Sequence, residues 1–129
     1  MQESGQKNTS RRESAIRFME ENPLTSFTLC RAWNMCDADM MDMREDIAGK
    51  ILGLCKNIHD MQLAAFHSAR SGTKSLKAFL GKLAQMVRQD ASIAIRAADL
   101  GYQAYKDAGY PKDCQEIFEL FKAQQAAQI

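Results

Sequence analysis

From Asp37 onward, apolar side chains recur at Met40, Met43, Ile47, Ile51, Leu54, Ile58, Met61 and Ala65, in steps of 3, 4, 4, 3, 4, 3 and 4. That spacing follows the turn of an α-helix and sits close to the heptad value. Ala48, Cys55, Phe66 and Ala69 widen the stripe. The pattern predicts one helix over about 37–70, roughly 50 Å long at 1.5 Å per residue. Ser71-Gly72-Thr73 ends it, with Gly72 able to turn left-handed and Thr73 placed to cap the next helix. A second stripe, Leu76, Leu80, Leu83, Val87, Ala91, Ala94, Ala98, Gly101 and Tyr105, predicts a helix over about 74–108 that stops at Gly109-Tyr110-Pro111. Its second half is rich in alanine on the inner side, so another helix can approach closely there. The short connection between the two predicts an antiparallel hairpin.

Shorter elements flank this hairpin. Ser10 and Glu13 have capping-box spacing and predict a helix over about 11–21. Asn22-Pro23 stops it, because proline disfavours helical geometry in the residue before it. Thr25 or Ser26 then caps a helix carrying Phe27, Cys30 and Trp33 toward Met35, where the pair Gly49 and Gly53 of the next helix would let it come close. Asp113 with Glu116 offers a cap for a last amphipathic helix from Cys114 to about Ala127. The expected fold class is all-α: a helical bundle built on the long hairpin, with a flexible segment over 1–10 and one helical domain over 11–129.

Composition narrows the function classes. In 129 residues, 17 Lys and Arg balance 16 Asp and Glu, so bulk positive charge is not the basis of binding. Position along the chain breaks the balance. Residues 37–46 hold Asp37, Asp39, Asp42, Glu45 and Asp46 against Arg44 alone, whereas 61–89 hold Arg70, Lys74, Lys77, Lys82 and Arg88 and no acid. In the hairpin these become an acidic end and a basic tip, suited to an acidic partner or a head-to-tail contact between copies. No apolar run approaches the roughly 20 residues of a membrane helix, and the first residues lack a secretion-signal pattern. A cytoplasmic chain with reduced Cys30, Cys36, Cys55 and Cys114 is therefore expected.

Candidate chemistry is sparse. Cys55 and His59, four apart on a predicted helix, are possible metal ligands, with Cys30 and Cys36 as a third and fourth; packing is the default role, since zinc sites show tighter local pairing. The same Cys55 and His59, or Cys114 with His67, lack an orienting group and an oxyanion loop for nucleophilic catalysis. Asp37, Asp39 and Asp42 resemble part of a calcium loop, but its glycine and closing glutamate are missing, and carboxylates at a helix N-terminus are favoured by its dipole. No enzyme activity, cofactor or resident metal is expected. Surfaces remain: the apolar side of the last helix, Ile117, Phe118, Leu120 and Phe121, and the methionines Met40, Met41 and Met43, whose flexible side chains suit an adaptable contact or a core equally. The basic tip offers nucleic-acid binding as an alternative, although Phe66 and Phe79 fall on the core stripe and not beside the charges. A metal-binding bundle is the third reading.

The segment Ala104 to Gln125, in which an alanine-containing helix breaks and Tyr110-Pro111-Lys112-Asp113-Cys114-Gln115-Glu116-Ile117-Phe118-Glu119-Leu120 comes next, resembles the proline-containing break and Glu-x-x-x-Leu helix of phasins. The likeness covers about a sixth of the chain. Phasins are non-catalytic helical proteins that coat polyhydroxyalkanoate granules and self-associate. The resemblance implies a coat or interaction protein whose partner is a second copy, another protein or a hydrophobic granule surface.

Overall fold

The computed structural model describes residues 2–128, with side chains from Ser10 onward. The chain is all-helical: α1 (Gln2–Glu21), α2 (Ser26–Asn34), α3 (Met41–Leu54), α4 (Met61–Ala69), α5 (Thr73–Gln89), α6 (Ala94–Asp107) and α7 (Gln115–Gln128), with short 3-10 turns at Ala91–Ile93 and Lys112–Cys114. Among the described residues there is no strand. Nor, among them, is any helix long and apolar enough to cross a membrane. The sequence reads as one domain over 11–129; the folded chain forms two compact units, residues 1–54 and 55–129.

In the first unit, α1 already includes residues 2–10, where a flexible segment is expected, so Ser10 and Glu13 lie inside a helix and start none. The end of α1 is as predicted, and Asn22 Nδ2 donates to Phe18 O at 2.8 Å. Thr25 caps α2: its Oγ1 accepts from Thr28 N at 3.2 Å while Thr28 Oγ1 accepts from Thr25 N at 2.9 Å. Leu29, Ala32 and Trp33 form the buried side of α2, and Ile47, Ala48, Ile51 and Leu52 that of α3. Gly49 and Gly53 face outward, and an added Cβ at either would meet nothing. They do not bring Trp33 close.

The single helix predicted over 37–70 is two, α3 and α4. Between them Asn57 Oδ1 accepts from Asp60 N and Asp60 Oδ2 accepts from Lys56 N, both at 2.9 Å. These short polar side chains bond the local backbone in place of the helical ladder, although the apolar spacing runs through the break. The helix predicted over 74–108 divides in the same way at Asp90, whose Oδ1 accepts from Ser92 N at 3.1 Å and from Ser92 Oγ at 2.6 Å.

The second unit is built from α4, α5, α6 and α7. Gly72, at φ 95°, makes the turn from α4 to α5. Leu76, Phe79, Leu80, Leu83 and Val87 give α5 one buried face, and α5 packs on α4, α6 and α7. Cys114 Sγ lies on Thr73 O at 3.6 Å and Gln124 Nε2 on Ala84 O at 3.4 Å, so α7 runs parallel to α5. The contacts of α6 with α7 run the other way, with Phe118 on Tyr105 and Phe121 beside Gly101. Successive helices thus alternate in direction, and α4 and α7 each pack on both α5 and α6.

Candidate functional site

The inner side of α6 consists of Ala94, Ala97, Gly101, Ala104 and Tyr105. Small residues at helical spacing leave room for a neighbour's large ones, and α7 supplies them. A Cβ built on Gly101 would fall 2.3 Å from Cε1 of Phe121, so the ring occupies the space that any other residue would fill. The Tyr105 and Phe118 rings stack at 4.2 Å and 9°. Gly109 at φ 85° and Tyr110 at φ 53° end α6, with Tyr110 N donating back to Tyr105 O at 3.0 Å. This left-handed reversal turns the Tyr110 ring edge onto Tyr105 at 5.5 Å. A hydrogen bond to Tyr102 holds the Tyr110 phenol above its ordinary pKa.

Beside this stack lies a groove of about 380 Å³, lined by Ile95, Ala98, Asp99, Tyr102, Phe118, Phe121 and Lys122. The buried phenylalanines form its floor. Ile95 is 68% exposed and Tyr102 45%, so α6 carries a second apolar seam at steps of 3 and 4 through Ile95, Ala98 and Tyr102, turned away from its buried one. Asp99 and Lys122 add one charge of each sign. Lys122 Nζ is 3.4 Å from Glu119 Oε2 and 5.9 Å from the centre of the Phe118 ring.

The residues singled out from the sequence fare unequally. Phe118 and Phe121 are not a free surface: both are buried, because the small side chains of α6 admit them. Ile117 and Leu120 remain exposed, on the flank of α7 whose Gln124 reaches α5. Met40 belongs to the core, whereas Met41 is exposed and Met43 half-buried, so the three form no common face. Ile95, Tyr102 and Asp99 were missed; the signal for them is the second 3-and-4 spacing on α6, hidden beside its alanine stripe. Asp113 caps no helix: the last helical stretch begins as a 3-10 turn after Pro111, without a side-chain cap.

The charged blocks are also rearranged. Asp37 pairs with Arg11, and Asp42 takes both Nη atoms of Arg12 at 2.9 and 3.1 Å, while Asp46 holds Lys50 at 2.6 Å. Much of the acidic end is thereby neutralised within its own unit. In the basic block, Arg70 lies 3.9 Å over the Phe66 ring, donates to Phe66 O at 3.0 Å and stands 4.0 Å from Asp107. Lys74 and Arg88 are exposed on α5, and Lys77 and Lys82 half-buried. Phe79 is fully buried, and Arg70 lies over the Phe66 ring, so neither ring is presented to solvent as an open platform for base stacking.

Cys55 and His59 fall in the break between α3 and α4, so the one-turn helical spacing that paired them is lost. Cys30 and Cys36 lie in the other unit. Among the described residues no three His, Cys, Asp or Glu side chains gather as a metal site. All four cysteines are thiols outside any disulfide, and burial pushes each above the ordinary cysteine pKa, away from the thiolate that a ligand or nucleophile needs. His67 is buried, its Nδ1 3.1 Å from Leu63 O, and burial lowers its pKa.

No family model, curated protein or solved structure matches the chain.

Proposed function

We propose that this chain is a non-enzymatic helical interaction protein whose contact surface is the groove between α6 and α7. One observation carries the reading: a groove with a buried aromatic floor, about 380 Å³ in volume, bordered by the exposed Ile95 and Tyr102. That volume lies within the range of roughly 300–1,000 Å³ common to ligand sites, and an apolar centre with a few polar groups at its edge is their usual chemistry. A tyrosine supplies a large contact area through only two side-chain torsions, so it costs little to order. The surface fits an apolar side chain or helix better than a free metabolite, because it is a trough between two helices and its polar groups stand at the rim.

The phasin resemblance points toward the same part of the chain, since Tyr110 to Leu120 leads into the groove and supplies Phe118 to it. A granule or protein coat would use such a face for attachment, with the exposed Ile117 and Leu120 as a second apolar strip on α7. The test uses 8-anilinonaphthalene-1-sulfonate, a fluorescent apolar probe. Enhanced probe fluorescence with the native chain, lost in the double variant I95S/Y102S but kept in L120S, supports the groove. Equal fluorescence in the native chain and I95S/Y102S, with helix content unchanged, overturns it.

A further inference from the structure

The geometry points to a second copy of this chain as the occupant of the groove, docked about a two-fold axis that passes α6 between Ala98 and Asp99. The inference rests on the groove being the contact surface. An isologous contact needs a face that complements itself, so that what one copy offers the other receives. This face meets that condition in shape. Ile95 and Tyr102 are equally spaced about the midpoint of Ala98 and Asp99. With two α6 helices antiparallel across the axis, Ile95 of each copy meets Tyr102 of the other. Ala98, small and half-buried, lies at the crossing where the helices must come closest.

Charge obeys the same symmetry. Phe121 sits beside Gly101 and Phe118 on Tyr105, an antiparallel register that sets Lys122 about level with Leu100 on its own α6. Across the axis, Asp99 of the second copy comes level with Ala98. The two charges then differ by about two residues, or about 3 Å, along the helix. Each Lys122 therefore stands near the level of the other copy's Asp99 as well as its own, twice per dimer. Both side chains are exposed in the single chain, and the contact of Lys122 with Glu119 holds its ammonium on this flank. A partner of one charge sign would satisfy only one of the two groups.

Charge reversal tests the pairing, with mass followed by light scattering over a range of concentrations and helix content by circular dichroism. The native chain is expected to dimerise. D99K alone sets an ammonium against Lys122 at both contacts, and K122E alone sets a carboxylate against Asp99 at both; each is expected to weaken the dimer by about tenfold or more. Mixed together, the two variants restore both attractive pairs, so a heterodimer of native strength is expected. A helical native chain that stays monomeric throughout overturns the inference. So does a dimer indifferent to both reversals, or a mixture no stronger than either variant. The probe separates this from the reading beneath it: a monomer that still binds anilinonaphthalene sulfonate through Ile95 and Tyr102 keeps the groove and loses the second copy, whereas a monomer without probe binding loses both.

Discussion

The two units solve the same packing problem with different chemistry. In residues 1–54 charged side chains latch the helices: Arg12 on Asp42, Arg11 on Asp37, and Arg44, whose guanidinium donates to Cys36 O at 2.8 and 3.2 Å while lying 4.4 Å over the Trp33 ring. In residues 55–129 the α6–α7 contact is set by shape, with Phe121 against a glycine and Phe118 stacked on Tyr105. Shape is intolerant of volume change, whereas exposed charge pairs are screened by water. Mutations of similar size should therefore cost more in the second unit. Each unit can be followed separately, because the one tryptophan, Trp33, lies in the first and the three tyrosines, Tyr102, Tyr105 and Tyr110, in the second.

The largest effect is expected at the α6–α7 contact. Phe121→Ala should lower stability by about 3–5 kcal/mol, the range for removing a buried aromatic ring. Gly101→Ala should lower it by about 1–3 kcal/mol, since overpacking outweighs the better helix propensity of alanine. Denaturant titration followed by tyrosine ellipticity measures both. The combination Gly101→Ala with Phe121→Leu should cost less than the sum of the single changes, because the smaller side chain yields the space that the methyl takes. Strict additivity would mean that the ring and the glycine do not share that space.

Next comes Arg44→Ala, which leaves the Cys36 carbonyl without its side-chain donors and uncovers one face of Trp33. A loss of about 1–3 kcal/mol is expected, with a red shift of tryptophan emission. Arg44→Lys should recover only part of it, since an ammonium cannot present the planar fork to the carbonyl while stacked on the indole. Full recovery by lysine would reduce the latch to simple charge.

A smaller effect separates a buried group in the second unit from the surface charges of the first. His67 is buried and its folded-state pKa is depressed. The unfolded chain thus takes up a proton near the ordinary histidine value of about 6.5 before the folded chain does. Stability should fall as pH drops below that value, until the folded pKa is reached. An imidazole titration by nuclear magnetic resonance should place His67 below the ordinary histidine value, and His67→Gln should flatten the tyrosine-monitored stability profile just below neutrality.

The helix boundaries legible in the sequence are those set by local backbone geometry. Pro23, Gly72 and Gly109 with Pro111 mark real ends, because backbone restriction and left-handed geometry are local properties. The breaks at 55–60 and 90 were not legible: Asn57, Asp60 and Asp90 interrupt the helices by side-chain bonds to nearby backbone, while Ile58, Met61 and Ala94 continue the apolar rhythm. The candidate site was half visible. The alanines and Gly101 announce a close neighbour on α6, yet nothing local tells that Phe118 and Phe121 are that neighbour's contribution. Their burial leaves Ile95 and Tyr102 as the exposed apolar seam beside them.

The smallest expected effect is at Arg12 and Asp42, and it decides what the first unit's latches are for. Their bidentate geometry is good, but both groups stand in solvent, where the Coulomb gain is screened and two long side chains must be held still. Hydrogen bonding to Arg12 holds the Asp42 carboxyl below the usual aspartate range. A depressed carboxylate contributes stability above its unfolded pKa, near 4, and loses it as pH falls through the lower folded value. Arg12→Ala should therefore shift the tryptophan-monitored midpoint only slightly at neutral pH, more at low salt, and not at all in acid below both values. If the shift instead matches that of Phe121→Ala, charge holds the first unit as firmly as shape holds the second, and the contrast between them fails. If it is small and salt-dependent, these pairs mainly offset the charge of Asp37 and Asp42 with arginines of α1, while the carboxylates themselves stay in solvent.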